Sequence, residues 1–432
     1  MTVSPPRPLR FPSYRWLLTG TTVNTLGNSI APVAIAFAVL DVGGSATQLG
    51  LVVAAYALAD VAAVLGGGVL GDRLPRQLMM RGVNTAAGLV QVALATALLA
   101  GVASVWLIAV AGALNGALGS LAGPSTQAIT PQTVPADVLR QAITLRRLAQ
   151  NAASIAGFGL AGVLVAWIGS GGAVMVDAAT FLVAAGCFTR IAVLSVATPA
   201  ERRHPFTEAA EGLREVLHRS WLWAGIAMAL VYHLFYGGAQ GVLGPVVVGE
   251  GISRPAWGYA LSAMMVGFVS GGLLSLVWKP RRILLVGELF LLLTVCFPLA
   301  MAWSSSLGVV LAGAFLHGLG LEIFSVGWDL AIQENVPEHL LARVYSFDQL
   351  GSFLARPVGL ALTGPLAAAV GDRRWLVVVA VAMLVAEIVP FAVPQVRRLE
   401  RRTTPGELPV GALRPVARGR SRGRRSSSSR AK

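Results

Sequence analysis

Charge and cysteine are what this sequence has least of. Only 12% of its 432 residues are charged, two are cysteine and five are histidine, and lysine occurs just twice, as Lys279 and Lys432. So few charges cannot cover the surface of a water-soluble protein of this length. Cys187 and Cys296 both fall in apolar runs as small packing residues, so no disulfide framework is implied. The histidines, His204, His218, His233, His317 and His339, are scattered, and neither a His-Glu-x-x-His zinc pattern nor a metal cluster is present. A Gly-x-x-x-x-Gly-Lys phosphate loop is missing too, so the chain does not itself hydrolyse ATP in that manner. No cofactor is expected, and arginine used almost to the exclusion of lysine points to a GC-rich bacterial source.

What the chain has instead is apolar length. Hydrophobic residues make up 55% of it and the mean hydropathy is +0.70. A membrane-crossing helix needs roughly 20 mostly apolar residues, and about twelve such stretches, here called spans 1 to 12, fit along residues 14–396. The runs are too long for barrel strands and do not alternate, so the expected fold is all-α and integral to a membrane. Helical neighbours and ordered water can satisfy the backbone groups that their Gly and Pro residues free. All but four of the 34 Lys and Arg residues fall in the even-numbered loops, the central linker and the tails. The four are Arg254, Arg373 and Arg374 in odd loops and Arg356 within a span. This asymmetry places both termini in the cytoplasm of a bacterial cell, with the chain in its inner membrane. The first apolar run, preceded by Arg7, Arg10 and Arg15, is too long for a signal peptide and lacks a small-residue cleavage site, so it is read as span 1.

The chain also repeats itself. Residues 134–169 recur as 336–371 in constant register, pairing Leu139 with Leu341, Leu148 with Leu350, Gly157 with Gly359, Leu160 with Leu362 and Gly162 with Gly364. One six-helix unit has been used twice, giving a cytoplasmic N-terminus over 1–13, a six-helix bundle over 14–194 and a second over 220–396. Residues 195–219 are a polar linker at the inner membrane surface. Residues 397–432, rich in Arg, Ser and Pro, have almost nothing to bury and are expected to be disordered. The basic residues of this tail gain roughly 1 kcal/mol each from an anionic leaflet, which accounts for them by lipid contact without nucleic acid.

Between spans 2 and 3 stands Gly68-Val69-Leu70-Gly71-Asp72-Arg73-Leu74-Pro75-Arg76, a charged hinge. A worn copy, Gly271-Gly272 leading to Lys279-Pro280-Arg281-Arg282, lies between spans 8 and 9 without the acid. The hinge, the two six-span halves and the central linker resemble a twelve-span member of the major facilitator superfamily over nearly the whole chain. Residues 45–50, 131–142 and 176–182 are similar to its branch of siderophore and drug exporters. The resemblance implies two pseudo-symmetric six-helix bundles that alternate access to a midplane site. It further implies that Gly68, Asp72, Arg73 and Arg76 form a conformational latch, with Asp72 facing the start of span 11 near residues 341–345. Arg73 either completes that latch or only fixes topology. The branch's Gly-Pro-x-x-Gly-Gly motif is reduced here to Gly157-Phe158-Gly159-Leu160-Ala161-Gly162, and the span 4 arginine of proton-coupled drug exporters is absent, since that stretch offers only small residues and Asn115. Proton antiport therefore rests on the family and not on those motifs.

A charge near the bilayer centre costs about 2.5 to 3.5 kcal/mol on insertion scales, so the acids inside the spans need a reason. They are Asp60, Asp177, Glu288, Glu322, Asp329 and Glu387. Asp60, Glu322 and Asp329 are the proton-coupling candidates, the last two sharing a face of span 10 two turns apart. Asp177 and Asp329 are expected toward aqueous ends, and Glu387 is read as structural glue toward Arg356 or another helix. Candidate cavity residues are Asn24 and Asn28 on span 1, Asn115 on span 4, the stripe Tyr232, Tyr236 and Gln240 on span 7, and His317 and Trp328 on span 10. These stripes serve either a large amphipathic solute or hydrogen bonds between helices. The expected function is secondary active efflux of a drug, siderophore or secondary metabolite, coupled to protons, by a protein that is no enzyme and acts as a monomer. An uptake permease and a non-transporting membrane sensor or structural partner are the alternatives.

Overall fold

The computed structural model describes residues 8–71, 75–192, 213–278 and 280–400. Among them every regular element is helical. Span 1 is Pro12–Asp41, span 2 Ala46–Gly71, span 3 Arg76–Leu99 and span 4 Val105–Ala128. Spans 5 and 6 form one helix, Leu139–Thr189, broken at Gly169. Span 7 is Ser220–Gly238 continued by a π-helix over Ala239–Glu250, and span 8 is Arg254–Val277. Span 9 runs through Ile283–Leu291, Leu292–Val295 and Cys296–Trp303. Span 10 is Leu307–Asn335, span 11 joins Glu338–Phe353 to Arg356–Val370, and span 12 is Asp372–Ile388. By length and composition eleven segments can cross a membrane, and cutting the longest of them at Gly169 gives the expected twelve.

Local chemistry sets these boundaries. The hydroxyls of Ser104 and Ser253 accept the amides of Leu107 and Ala256, each at 3.3 Å, and so cap the first turns of spans 4 and 8. Gly169 (φ 72°, ψ 170°) and Gly371 (φ 93°, ψ 138°) take backbone conformations that a side chain resists. They occupy matching positions of the internal repeat, so both copies turn from their fifth span to their sixth in the same way.

Two ends of the bundle can now be distinguished. The terminal end carries Pro8 and Glu400, and the opposite end carries the turns at Gly43, Gly101, Gly169 and Gly371. Trp106, Trp167 and Trp303 are 80%, 84% and 71% exposed at the opposite end. Indole rings favour the boundary between hydrocarbon and water, so they mark that membrane surface. Between the two ends, exposed Leu58, Leu89, Leu273 and Val381 present an apolar belt that suits lipid and not water.

The two halves meet toward the opposite end through two crossings, span 5 on span 8 and span 2 on span 11. In the first, the Cα of Gly258 lies against the Phe158 carbonyl, and an added Cβ would stand 2.5 Å from its oxygen; a Cβ on Gly162 would stand 2.7 Å from Pro255 Cα. In the second, a Cβ on Gly50 would stand 2.5 Å from the Leu360 carbonyl oxygen and one on Gly364 2.7 Å from that of Ala46. Phe158 and Leu360, like Gly162 and Gly364, are partners in the internal repeat. Ser262 adds a hydrogen bond across the halves, its hydroxyl donating to the Ile155 carbonyl at 2.8 Å.

Candidate functional site

Of the hinge residues, Gly68 lies in the helix that ends at Gly71, and Arg76 opens span 3. Asp72 and Arg73 fall outside the described residues, as does Lys279 of the worn copy. The start of span 3 is fastened to the end of span 6, where the Gln77 amide donates to the carbonyls of Phe188 at 2.9 Å and Thr189 at 3.2 Å.

In the N-terminal half the candidates form two separate groups. Asn28 donates to Asn24 at 3.1 Å, and Asn24 donates to Asn84 of span 3 at 2.8 Å, so the span 1 stripe is a relay between helices with exposed Asn28 at its end. Asp60, half-buried on span 2, accepts the Ser120 hydroxyl of span 4. Asn115 spends one amide hydrogen on the Ala111 carbonyl at 3.1 Å, while its own oxygen is buried without a partner.

The C-terminal half divides its candidates by depth. Glu322 is half-buried and Asp329 exposed, and Glu322 feels both Asp329 and Arg147, the latter a span 5 residue from the other half. Trp328 is buried edge-on against Trp221, with ring centroids 5.4 Å apart, and stacks on Phe324 at 6.0 Å. Tyr232 and Tyr236 are buried as well. Tyr232 bonds His317 at 2.9 Å, Tyr236 stacks on the same imidazole at 4.2 Å and donates to Met264 Sδ at 3.4 Å, and the Gln240 amide points at that sulfur from 3.9 Å. His317 therefore joins the span 7 stripe in one cluster, although helical spacing alone sets it off the Glu322 face.

One buried acid stands apart from where the sequence points, and another takes the second of its two expected partners, a different helix. Asp177 is fully buried and not at an aqueous end, its Oδ2 taking the Gln91 amide at 2.6 Å. Gly27 explains this, because a residue without a side chain lets span 1 close directly over Asp177 and Thr180. Glu387 is also fully buried, and its partner is not Arg356 but the Thr294 hydroxyl of span 9, at 2.5 Å. Each half thus ties its last span to its third through a buried carboxyl. Replacing Gln91 by leucine strands the Asp177 carboxyl, and an unmet buried acceptor costs about 1 to 3 kcal/mol. A lowered melting temperature of the purified protein is the expected result, and an unchanged one would show that water or another group replaces the amide.

One charged contact across the halves has no counterpart in the sequence reading. Arg254, which sequence placed in an odd loop, bonds Asp41 at 2.6 Å and Glu250 at 3.3 Å, and its guanidinium lies over the Phe37 ring at 4.9 Å. Both members of the Arg254–Asp41 pair are about a third exposed. Such a pair adds about 1 kcal/mol or less, so close helix packing contributes more than charge to closing this end.

The comparisons agree with this architecture. The sequence model of the Major Facilitator Superfamily matches residues 17–360. The "Multidrug efflux pump Tap" of Mycolicibacterium fortuitum is 26% identical over 395 residues, covering 88% of this chain and 95% of that protein. The protein of the same name from Mycobacterium tuberculosis (strain ATCC 25618 / H37Rv) is 24% identical over 407 residues, covering 89% and 94%. Among solved structures, a bacterial homolog of the human lysosomal transporter Spinster, inward-facing and unoccupied, superimposes with a TM-score of 0.68 at 16% identity, covering 90% of this chain and 97% of that one. The nucleoside transporter NupG does so with a TM-score of 0.66 at 10% identity, covering 90% and 99%. At such identities these structures speak for the fold alone.

Proposed function

Because the chain belongs to the Major Facilitator Superfamily, we propose that this multi-pass membrane transporter expels small amphipathic molecules, such as drugs, siderophores or secondary metabolites, in exchange for protons. The observation that carries the reading is similarity over most of the chain to proteins named multidrug efflux pumps. The arrangement of the halves is compatible with it. They are joined toward the opposite end, while Asp329 is exposed and Asp60 and Glu322 are only half-buried. With the termini in the cytoplasm of a bacterial cell, as the arginine distribution favours, this is the state open to the inside.

In that reading Asn24, Asn28, Asn115 and Gln240 offer polar contacts to the solute, with Trp328 as an aromatic wall. Tyr232, Tyr236 and His317 are the support beneath them. Asp60, Glu322 and Asp329 are proton carriers within reach of the open side. Gly68, Asp72, Arg73 and Arg76 form the latch that shuts the cytoplasmic end in the alternate state, and the basic tail rests on anionic lipid. The protein works as a monomer.

The test is transport by proteoliposomes of the full chain, challenged with a panel of lipophilic cations, siderophores and antibiotics, with and without a proton gradient. Accumulation of at least one compound against its gradient, abolished by a protonophore, is expected. Exchange that ignores the proton gradient would remove the antiport, and failure to move any compound under any gradient would favour a sensor or structural role.

A further inference from the structure

Span 11 carries an arginine inside the membrane that has no partner among the described residues. Arg356 opens the helix Arg356–Val370, its side chain is exposed, and neither an ion pair nor a hydrogen bond engages its guanidinium there. The ionisable groups that feel it include Tyr56, Tyr236 and His233, none of which carries a negative charge at neutral pH. An arginine in a spanning segment is costly, and such residues face the bundle interior or a water-filled cavity.

Helix geometry places this one over the cavity and away from lipid. Val358, Leu362 and Leu366 are exposed at intervals of four residues and form the lipid face of span 11. Arg356 precedes Val358 by two residues, about 200° around the helix, so it points to the inner side. It shares that side with Leu360 and Gly364, which meet Gly50 and Ala46 of the other half. One turn of helix therefore separates Arg356 from the crossing, toward the terminal end. Span 7 completes the wall. A Cβ added at Gly237 would stand 3.1 Å from Arg356 Cγ and 3.9 Å from its Nε, and one at Gly241, a turn further on, 3.0 Å from Leu360 Cδ2 and 3.7 Å from Val53 Cγ1 of span 2. The missing side chain at Gly237 lets the arginine stem lie along span 7 directly beneath the point where the halves close, and the residue remains exposed. In the internal repeat the matching position is Ser154, so only one copy carries the charge. A residue that the shared fold required would be expected in both.

We infer that Arg356 receives the anionic group of the transported solute, a carboxylate or a similarly flat oxyanion, at the head of the cavity beneath the crossing of spans 2 and 11. The planar guanidinium presents a fork of donors that matches the two oxygens of a carboxylate with parallel hydrogen bonds. Between helices such a contact is stronger than at an open surface, because less water screens it. Val53 and Leu360 beside it are apolar, which suits a solute that joins an acid to a hydrocarbon part. The site narrows the proposed solutes to those bearing an acid, and to that extent it rests on the proposed function.

Phenylglyoxal modifies accessible arginines, and peptide mass spectrometry of the purified full chain reads Arg356 separately from the others. A series of aryl and alkyl acetates, each beside its methyl ester, serves as the probe. Arg356 is expected to be modified in the free chain and protected by at least one of the carboxylates, while the corresponding ester has no effect. An unmodified Arg356, no protection by any carboxylate, or equal protection by acids and esters overturns the site. Protection by phosphatidylglycerol and not by carboxylates overturns the solute in favour of a lipid headgroup. In proteoliposomes, Arg356→Gln is expected to lower transport of acids relative to their esters about tenfold or more, the value of one hydrogen bond to a charged group. Arg356→Lys, which keeps the charge, retains part of that preference. Equal loss for acids and esters, which a merely structural role would give, overturns the inference. A wild-type chain that moves no compound under any gradient counts against the proposed transport, whatever the labelling shows. Wild-type transport confined to compounds without an acid counts against the site alone.

Discussion

Replacing Gly258 by leucine is expected to push the protein out of the state closed at the opposite end while leaving each half folded. At this position the Phe158 carbonyl of the other half lies where a side chain would begin. A backbone oxygen within a helix cannot rotate away, so the added side chain separates the spans. Overpacking costs about 1 to 3 kcal/mol in a core that can adjust, and the upper end applies where the obstacle is main chain. The penalty exists only while the crossing is closed, so it is a differential energy between two conformations. About 3 kcal/mol corresponds to a population shift of roughly a hundredfold. A reporter cysteine at Thr47, in a background lacking Cys187 and Cys296, should then react faster with a membrane-impermeant maleimide. Unchanged labelling at unchanged thermal stability would show that this crossing does not govern closure.

Truncating Phe37 to alanine is expected to lower stability by an amount visible in any melting curve. The ring is fully buried near the opposite end of span 1, resting on Gly249 of the π-helical segment and lying under the Arg254 guanidinium. In water-soluble cores Phe→Ala costs about 3 to 5 kcal/mol, divided between lost transfer energy and the cavity left behind. Lipid is as apolar as the protein interior, so the transfer part shrinks and the packing part remains. About 3 kcal/mol is the expected loss, read as thermal unfolding followed by tryptophan fluorescence in detergent. A loss below about 1 kcal/mol would mean that the pocket collapses onto the void.

The fold was legible in the sequence because its determinants are coarse. Twenty apolar residues in a row, arginines gathered on alternate loops and a segment repeated in register survive any uncertainty about individual contacts. The internal repeat also paired Gly157 with Gly359 and Gly162 with Gly364, and the structure shows what the second pair serves, since Gly162 and Gly364 admit the other half's backbone. The site was less legible. Period alone sets His317 off the Glu322 face, and it cannot say that span 7 lies there with Tyr232 to receive it. Asp177 reads as an aqueous-end residue until Gly27 is seen to bring span 1 across it. Thr294 and Glu387 are ninety-three residues apart and meet only through the packing of span 9 against span 12.

The two crossings carry one more implication. Span 5 meets span 8 as span 11 meets span 2, with Phe158 and Leu360, Gly162 and Gly364, and Gly258 and Gly50 exchanging roles. That is the geometry of an isologous contact, the kind formed by two identical subunits about a dyad. The chain closes on itself as a homodimer would, with the covalent connection from span 6 to span 7 joining the two copies. A motion that preserves the axis must release both crossings together, so opening behaves as a single concerted event, and Gly50→Leu should reproduce Gly258→Leu from the other side of the axis.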